Sequence, residues 1–373
     1  MTFIPFDLEY TQSVWEQEVD INLTESGVHP ISLEQLLAGN EQLASKLMRT
    51  ELNYPHVNGI PELRDNIAAL YDGAVSDNVL VTVGAAEANN LIMNTMLEPG
   101  DRVVTQTPTY KQVWGLALNY GHDVRSFRLQ SESGWALDSD ELNAAVDAST
   151  KLIALVNPNN PTGYILTEPE MDAIVAAADR VGAWILADEV YRGAERVQEA
   201  ETPSFWGRYD KVLAVGSMSK AYGLPGLRIG WVVAPTNCID DIWRRHEYTT
   251  ITATVLSNIL AAYALSPDVR PRLLQRSRDY IRNGFPVLQS WMDSQSDLFS
   301  YTPSMASAVS FIRYHLDINS TELMERLIRE ASVFVGAGDS FGMDRHLRIA
   351  FGQERSVLED AFSRIQRVLE SLQ

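Results

Sequence analysis

Lys220 is the residue of this chain whose type and setting point most directly to chemistry. It lies in "SMSKAYGLPGLRIGW", where it follows the strand-like run "KVLAVGS" in a turn rich in serine and glycine. Only five lysines stand against 25 arginines, so few lysines are candidates for any one task. A lone lysine is usually a solvated surface side chain. A reactive role for Lys220 therefore depends on the polar residues that end the neighbouring strands.

Several strand-like runs end in groups that suit one cofactor, pyridoxal 5′-phosphate (PLP), whose aldehyde binds covalently to a lysine amine. "LADEVYRG" places Asp188 after a largely apolar run, and a buried carboxylate there needs a cationic or hydrogen-bonding partner. A protonated pyridine nitrogen would serve and would keep the ring an electron sink. Two candidate donors to the ring's phenolic oxygen are Tyr191, three residues after Asp188, and Asn160 in "NPNNPTG". Asn160 also suits an ordinary turn. Tyr110 of "TPTYKQVW" is either a plate that stacks on the ring or a core tyrosine.

A second group of residues suits the cofactor's phosphate. "TVGAAEANNL" joins a strand to a helix through a glycine, and the free backbone N–H groups of Ala85 and Ala86 would face an anion at the helix N-terminus. Ser217, Ser219 and Arg228 flank the lysine and would complete the phosphate site. Taken alone, the glycine turn is a weak signal, and its weight comes from the residues around it.

The elements that position these residues alternate between β-rich runs and helical patterns. The runs are "NVLVTVG", "DRVVTQTP", "KLIALVNP", "AWILADEVY", "KVLAVGS" and "RIGWVVAP". Near-continuous apolar strands that alternate with helices indicate an α/β fold with a parallel sheet covered on both faces. Because ligands bind beyond the carboxyl ends of such strands, the polar residues that end them are predicted to share one site.

After about residue 255 the pattern changes to long helices and a few further strands. "PRLLQRSRDYIRNGFPVLQSWM" predicts a long helix, Thr321–Ala331 a second, and the C-terminal run a third with one apolar face. We predict three parts: an N-terminal lid or arm (1–45) that joins the small domain, a large cofactor-binding domain (46–255), and a small α+β domain (256–373).

Composition narrows the possible partners. The formal net charge is −19, which disfavours nucleic acid and anionic membrane surfaces as partners. The only cysteine, Cys238, leaves no intramolecular disulfide and suggests a reducing compartment. "MTFIPFDLEY" lacks the features of a signal peptide, and no apolar run approaches the length of a membrane span. We therefore expect a cytoplasmic protein.

Seven motifs in order identify the chain as similar to the class I/II aminotransferases of PLP fold type I. They are "YPHVNGIPELR", "GAAEANN", "PTY", "NPNNPTG", "DEVY", "SMSKAYGLPGLRIGW" and "LRIAFG", and they run from about Asn53 to Gly352. The resemblance implies a large domain with a mostly parallel seven-stranded sheet covered by helices, and a smaller α+β domain.

The resemblance also implies roles for individual residues and no metal site. Lys220 and Asp188 are the catalytic pair, and Arg348, with Asn160 beside it, binds the substrate α-carboxylate. Tyr54 contributes from the neighbouring subunit, which implies a homodimer. The implied cofactor contacts are Tyr54, Ala85, Ala86, Tyr110, Asn160, Asp188, Tyr191, Ser217, Ser219, Lys220 and Arg228. In this chemistry an external aldimine forms, Lys220 takes the Cα proton, and the ring accepts the charge as a quinonoid.

The N-terminal segment indicates which branch follows. "SGVHP", preceded by Trp15 and Glu16, resembles a subgroup that acts on arginine, the capreomycidine synthases and the O2- and PLP-dependent L-arginine oxidases and hydroxylases. On that resemblance, Glu16 and Glu25 are candidate guanidinium partners. His29 is a candidate catalytic residue that moves protons or positions oxygen. The plainer interpretation is two solvated carboxylates and a loop histidine.

The predicted function is oxidative deamination of L-arginine or a close analogue, with O2 as electron acceptor and with or without desaturation or hydroxylation. An ordinary aminotransferase that uses a 2-keto acid is the alternative, and cyclase or lyase chemistry stays open. The glutamate in "TESG" stands where the cyclase pattern has a small hydroxyl residue, which disfavours cyclisation. A PLP-sensing regulatory module is disfavoured by the negative charge.

Overall fold

The strands of the protein form one large sheet and two smaller ones. The computed structural model describes residues 3–372. In chain order the strands are β1 (Ile21–Asn22), β2 (Val79–Thr82), β3 (Arg102–Thr107), β4 (Asp123–Gln130), β5 (Ala136–Leu137), β6 (Thr150–Val156), β7 (Trp184–Asp188), β8 (Val212–Ser217), β9 (Gly230–Val233), β10 (Phe299–Tyr301), β11 (Val309–Tyr314), β12 (Val333–Phe334), β13 (Gly336–Ala337) and β14 (His346–Ala350). The large sheet has the order β2-β9-β8-β7-β6-β3-β4-β5.

The helices lie between these strands and after them. In chain order they are α1 (Asp7–Trp15), α2 (Leu33–Leu37), α3 (Glu41–Met48), α4 (Pro61–Ala68), α5 (Gly84–Met96), α6 (Gln112–Asn119), α7 (Ser139–Ala145), α8 (Glu168–Val181), α9 (Thr236–His246), α10 (Val255–Ala264), α11 (Arg270–Asp293), α12 (Ser320–Ala331) and α13 (Arg355–Glu370). Among the residues that the structure describes, no helix combines the length and the apolar character that a membrane crossing requires.

Parallel pairing aligns the strand ends that carry the predicted site. Strands β3, β6, β7 and β8 are parallel neighbours, and their apolar residues other than Trp184 are buried on both faces. In the register of the sheet, Asp188 lies between Val156 of β6 and Val215 of β8. The carboxyl ends of these strands therefore meet at one edge, as the sequence predicted.

The prediction of a mostly parallel sheet covered by helices is confirmed, but the strand count differs. The sheet has eight strands rather than seven, because β5 adds two residues at the edge, antiparallel to β4. Sequence patterning also missed β4, "DVRSFRLQ", most of whose side chains are not buried. A strand with so few buried residues lacks the continuous apolar run that marked its neighbours.

The C-terminal part contains a second, antiparallel sheet of order β10-β11-β14-β13; α12 packs against β13, and α13 packs against α11 and α12. Helix α11 is 24 residues long, and α13 buries the face that includes Leu358, Phe362 and Ile365. The N-terminal segment joins this part through β1, which pairs in parallel with β12. The three-part division at residues 45 and 255 stays a prediction.

Candidate active site

A cavity of about 320 Å³ opens at the carboxyl edge of the large sheet. The predicted residues that line it are Glu25, Ala85, Ala86, Tyr110, Asn160, Asp188, Tyr191, Ser217, Ser219, Lys220, Arg228 and Arg348. A larger surface groove of about 540 Å³ between α11 and α13 contains none of them. Strand register and the turns that follow the strands thus bring most of the predicted site together.

Asp188 ends β7 as a buried carboxylate, only 5 % exposed. It accepts hydrogen bonds from Asn89 Nδ2 at 3.0 Å and from the Val190 N–H at 3.3 Å. Burial raises the pKa of Asp188 to about 6, against the opposing effects of these two donors and of the Lys220 charge. None of the ion pairs formed within residues 3–372 includes Asp188. A pyridinium N–H would supply the cation that this buried carboxylate lacks, so the site fits PLP.

The turn after β8 and the start of α5 form the opposite end of the cavity. Gly84 has φ +79°, a conformation that side-chain-bearing residues rarely adopt, and its Cβ-free surface faces Nη2 of Arg228, which would lie 2.4 Å from a Cβ there. Nη1 of Arg228 donates to the Pro225 carbonyl at 3.1 Å and approaches Ser219 Oγ at 3.5 Å. Ser217 Oγ donates to Ser219 Oγ at 3.0 Å. A cation and two hydroxyls are therefore gathered at one helix N-terminus.

The backbone of α5 completes this end. Ala85 and Ala86 lie in its first turn, where N–H groups have no partner inside the helix, and both line the cavity. A Cβ on Gly230 of β9 would lie 2.4 Å from the Ala85 nitrogen, so the absence of that side chain lets the strand pack directly against the helix start. Free N–H groups, the helix dipole, Arg228 and the serine hydroxyls together suit a phosphate.

Arg348 of β14 enters the cavity as a buried cation, 2 % exposed. Its Nη1 donates to Asn160 Oδ1 at 3.0 Å, and its Nη2 donates to the Thr24 carbonyl at 2.6 Å. Its Nε has no hydrogen-bond partner within the described part of the chain. Burial lowers the pKa of Arg348. The nearby Tyr191, Glu9, Tyr110 and Glu25 act in the opposite direction. The guanidinium therefore retains capacity for a substrate anion.

Helix α1 covers one side of the cavity and is tied to the residues around Tyr110. The Tyr110 hydroxyl donates to Glu9 Oε1 at 2.5 Å, and the rings of Phe6 and Tyr110 lie 4.9 Å apart. Lys111 Nζ donates to Asp7 Oδ2 at 2.6 Å. Burial, followed by the charge and hydrogen bond of Glu9, raises the pKa of Tyr110 well above its usual value. Glu9 thus contacts the predicted stacking residue and lines the cavity.

Comparison with known proteins identifies the family. The family model described as "Aminotransferase class I and II" matches residues 21–365. The chain belongs to the class I and II aminotransferases. It is 30 % identical to a capreomycidine synthase from Streptomyces vinaceus over 93 % of this chain and 89 % of that protein. It is 28 % identical to an aspartate aminotransferase from Streptomyces avermitilis over 85 % and 81 %.

A solved structure supports the same assignment. A PLP-dependent aminotransferase from Streptococcus suis superimposes with a TM-score of 0.94 and is 31 % identical, covering all of this chain and 99 % of that one. The fold is therefore aminotransferase fold type I, as the motifs implied. This class I and II aminotransferase is a PLP-dependent enzyme, and it acts on an amino acid.

The structure places three predicted residues of this aminotransferase outside the cavity lining. Glu16 caps the C-terminal end of α1 and is only half-buried. His29 is exposed, its Nδ1 lies 3.3 Å from Gln353 Oε1, and its backbone N–H donates to the Gly352 carbonyl. Tyr54 is 81 % exposed, and its contribution to a neighbouring subunit stays a prediction.

Three polar residues of the N-terminal segment line the cavity but were not among the predicted site residues. Glu9 lies on α1 seven residues, about two turns, before Glu16, and it lines the cavity, whereas Glu16 does not. Ser26 lies between the two residues singled out in "TESGVHP", and its hydroxyl accepts from Tyr191 at 2.8 Å. Gln12, also on α1, donates to Thr24 and lines the cavity. All three are polar residues of the N-terminal segment, which folds over the strand ends, and that shared property is the one sign in the sequence that could have indicated them.

Proposed function

We propose that the cavity is the active site of a PLP enzyme whose substrate is an L-amino acid with a cationic side chain, L-arginine or a close analogue. The observation that carries the proposal is the division of charge in one cavity. Asp188 and Lys220 lie at the cofactor end, Arg348 is available for an α-carboxylate, and the carboxylates of Glu9 and Glu25 line the same space. The α-carboxylate and the cationic side chain of a basic amino acid would thereby each find a group of opposite charge in the cavity.

The proposed cofactor-holding roles are those that the family resemblance implies, and they are assigned to residues that line the cavity. Asp188 would bind the pyridine nitrogen, Tyr110 would stack on the ring, and Asn160 and Tyr191 would donate to its phenolic oxygen. The phosphate would be bound by Ala85, Ala86, Ser217, Ser219 and Arg228. Held in this way, PLP supplies an electron sink for the charge left at the substrate α-carbon when its proton is removed.

Lys220 is the proposed covalent anchor and proton carrier. It follows β8 by three residues, is half-buried, and shares the cavity with Asp188, whose negative charge it faces. An amine in this position, once released from the cofactor, would take the proton from the substrate α-carbon and return it at another atom. The turn that holds Lys220 also brings Ser219 to the phosphate end, so one segment sets both positions.

Arg348 is the proposed anchor for the substrate α-carboxylate. Two of its nitrogens already donate to Asn160 and Thr24, and this fixes the plane of the guanidinium before substrate arrives. Because the group is planar and buried, it can present two donors to a carboxylate, and a lysine could not reproduce that geometry. Fixing the carboxylate would orient the α-carbon toward Lys220.

Glu9 and Glu25 are the proposed partners of the cationic side chain. Both line the cavity, and both contribute to the electrostatic environment of Arg348. Carboxylates bind a guanidinium strongly when two hydrogen bonds form in parallel. Glu9 takes the role that the sequence prediction gave to Glu16, whereas Glu25 keeps its predicted role. This assignment rests on two residues of the N-terminal segment and is independent of the cofactor contacts.

For the reaction that follows, we propose O2-dependent oxidative deamination, with or without desaturation or hydroxylation. Its support is the resemblance of "SGVHP" and its surroundings to O2-dependent arginine enzymes, and it does not require His29 to line the cavity. The alternative is transamination to a 2-keto acid. Its support is the family, together with the similarity to proteins named as aminotransferases.

One experiment separates the two reactions. The PLP-loaded protein is mixed with L-arginine in the absence of any keto acid while dissolved O2, ammonia and 2-keto acid product are followed. Continuous O2 uptake over many turnovers supports the oxidase. A single turnover that stops, resumes when a 2-keto acid is added and ignores the removal of O2 would identify the aminotransferase. L-citrulline, which replaces the guanidinium by a neutral group of similar shape, tests the charge requirement in either case.

We also propose a homodimer. Several large apolar side chains are exposed on the described surface, among them Met48, Leu52, Tyr54 and Tyr248. Helix α3, which ends at Met48, buries none of its residues within this chain. A second copy would cover such side chains and would bring Tyr54 to its partner's site. Light scattering during gel filtration tests this, with twice the monomer mass expected and the monomer mass contradicting it.

A further inference from the structure

Ser26 and Tyr191 form a buried hydroxyl pair inside the cavity. Tyr191 is 2 % exposed and Ser26 is 5 % exposed. The Tyr191 hydroxyl donates to Ser26 Oγ at 2.8 Å, and both residues line the space that contains Lys220. Ser26 belongs to the N-terminal segment, whereas Tyr191 follows β7, so the bond joins two parts of the chain 165 residues apart. None of the roles proposed above uses the Ser26 hydroxyl.

The backbone around Ser26 leaves it little freedom. A Cβ on Gly27 would lie 3.2 Å from the Ser219 carbonyl, so the segment passes close to the turn that holds Lys220. On one side the Thr24 carbonyl accepts from Arg348 at 2.6 Å. On the other side the His29 N–H donates to the Gly352 carbonyl at 2.7 Å. The position of the Ser26 hydroxyl is therefore set by its neighbours in the chain rather than by its own rotamer alone.

A hydroxyl can accept one hydrogen bond and donate another, so the direction of the bond between Ser26 and Tyr191 can reverse. In the arrangement above, the Tyr191 proton is directed at Ser26. If Ser26 donates instead, the Tyr191 proton becomes available to a second acceptor in the cavity, and the two bonds in series strengthen one another. The acceptor, on the role proposed for Tyr191, is the phenolic oxygen of the cofactor.

We infer that Ser26 is a positioning residue that donates to Tyr191 and thereby orients the Tyr191 hydroxyl toward the cofactor's phenolic oxygen. This inference rests on the proposed role of Tyr191 and not on the identity of the substrate or of the electron acceptor. It gives the N-terminal segment a function at the cofactor itself, in addition to the substrate contacts of Glu9 and Glu25.

The effect has a direction that can be measured without substrate. In the PLP-loaded protein, the proton on the Lys220 nitrogen is held by the negative charge of the phenolic oxygen. A donor on that oxygen weakens the hold, so loss of the donor raises the pH at which this proton leaves. The charged and titratable groups that face the pair are the same in every variant below; they are Glu9, Glu25, Tyr110, Asp188, Lys220, Arg228 and Arg348.

The test is a pH titration of the visible absorbance of the PLP-loaded protein for four forms: unchanged, Ser26→Ala, Tyr191→Phe and the double variant. We expect Ser26→Ala to raise the midpoint by about half to one pH unit, the range of one ordinary hydrogen bond. Tyr191→Phe is expected to raise it at least as far, and the double variant to match Tyr191→Phe alone. Ser310→Ala, a buried serine of β11 away from the cavity, is the matched control and should leave the midpoint unchanged.

Each other outcome contradicts a particular statement. An unchanged midpoint in Ser26→Ala, with a raised one in Tyr191→Phe, overturns the role of Ser26 and leaves that of Tyr191 intact. A Ser26→Ala shift that persists in the Tyr191→Phe background overturns action through Tyr191. An unchanged midpoint in Tyr191→Phe overturns the proposed role of Tyr191 and this inference with it. Retention of PLP through gel filtration and an unchanged thermal midpoint establish that each variant is folded.

Discussion

The carboxyl edge of the large sheet and the N-terminal segment contribute to the same cavity but are held in different ways. Asp188 is fixed by the parallel register that sets it between Val156 and Val215. Glu9 lies on a nine-residue helix that is tied down by a few side-chain contacts, such as that between Asp7 and Lys111. The cofactor end therefore rests mainly on buried, paired strands, whereas the proposed contacts of Glu9 with the substrate rest on a helix held by fewer contacts.

If this division is correct, the largest loss of turnover should follow substitution of Asp188. Asp188→Asn keeps the size of the side chain but removes the charge that we propose pairs with the pyridine nitrogen. We expect turnover to fall about 10³-fold with PLP still bound, because a neutral partner no longer favours the protonated ring. Steady-state rates and bound-cofactor absorbance measure the two effects separately.

The control for this prediction is Glu189→Gln. Glu189 is the next residue, is equally buried, and lies outside the cavity lining, where its Oε1 accepts from Ser204 and Phe205. It should retain turnover to within a few-fold. Equal losses in the two variants would mean that the effect comes from disturbing β7 rather than from the pyridine contact.

The second-largest change in kinetics is expected for substitution of Arg348. Arg348→Lys keeps a positive charge but loses the planar pair of donors, so KM should rise about 10²-fold while kcat changes less. Arg345→Lys, an exposed residue that is paired with Asp317, is the matched control and should leave KM unchanged. A fall in kcat at constant KM would mean that Arg348 acts on the reacting atoms instead of on the α-carboxylate.

The N-terminal segment should show a smaller, substrate-dependent effect. Glu9→Gln and Glu25→Gln should each raise KM for L-arginine about tenfold, since each removes one charge-assisted hydrogen bond. The same variants should leave any activity with L-citrulline unchanged, and Glu16→Gln should change neither. Equal losses with both substrates would show that these carboxylates do not recognise charge and would end the distinction drawn between the two regions.

The smallest effect is expected at His29. Its side chain is exposed and directed at Gln353 rather than at the cavity, so His29→Ala should keep turnover within about twofold and leave PLP binding intact. Product analysis by mass spectrometry completes the test. A changed ratio of deaminated to hydroxylated product would restore His29 to the reaction and would require the segment to move from its present position.

The same contrast explains what could be predicted from sequence. Asp188, Asn160 and Lys220 could be found because each follows an apolar run, and parallel strands have to align their ends. The contact of Asn89 with Asp188 was missed because a mid-helix asparagine carries no sign of the strand it will face. Sequence periodicity fixes which side of an element is buried but not which distant element covers it.

The N-terminal segment illustrates that limit. The expectation of acidic residues over the site led to Glu16, whereas the structure brings Glu9, two turns earlier, to the cavity. The difference depends on where α1 is anchored, through Asp7 on Lys111 and Ile4 on Asn119, and these contacts span more than 100 residues. No local pattern specifies such contacts. The sequence can therefore predict that an N-terminal segment covers the site, but not which of its residues reach the cavity.

The most direct test of the account is to locate the cofactor on the chain. The protein is loaded with PLP, reduced with borohydride to make the link permanent, digested, and mapped by mass spectrometry. We predict one modified lysine, Lys220, among the five, and loss of the modification in Lys220→Ala. Modification of Lys46, Lys111, Lys151 or Lys211 in place of Lys220, or none at all, would contradict the assignment of this cavity as the active site.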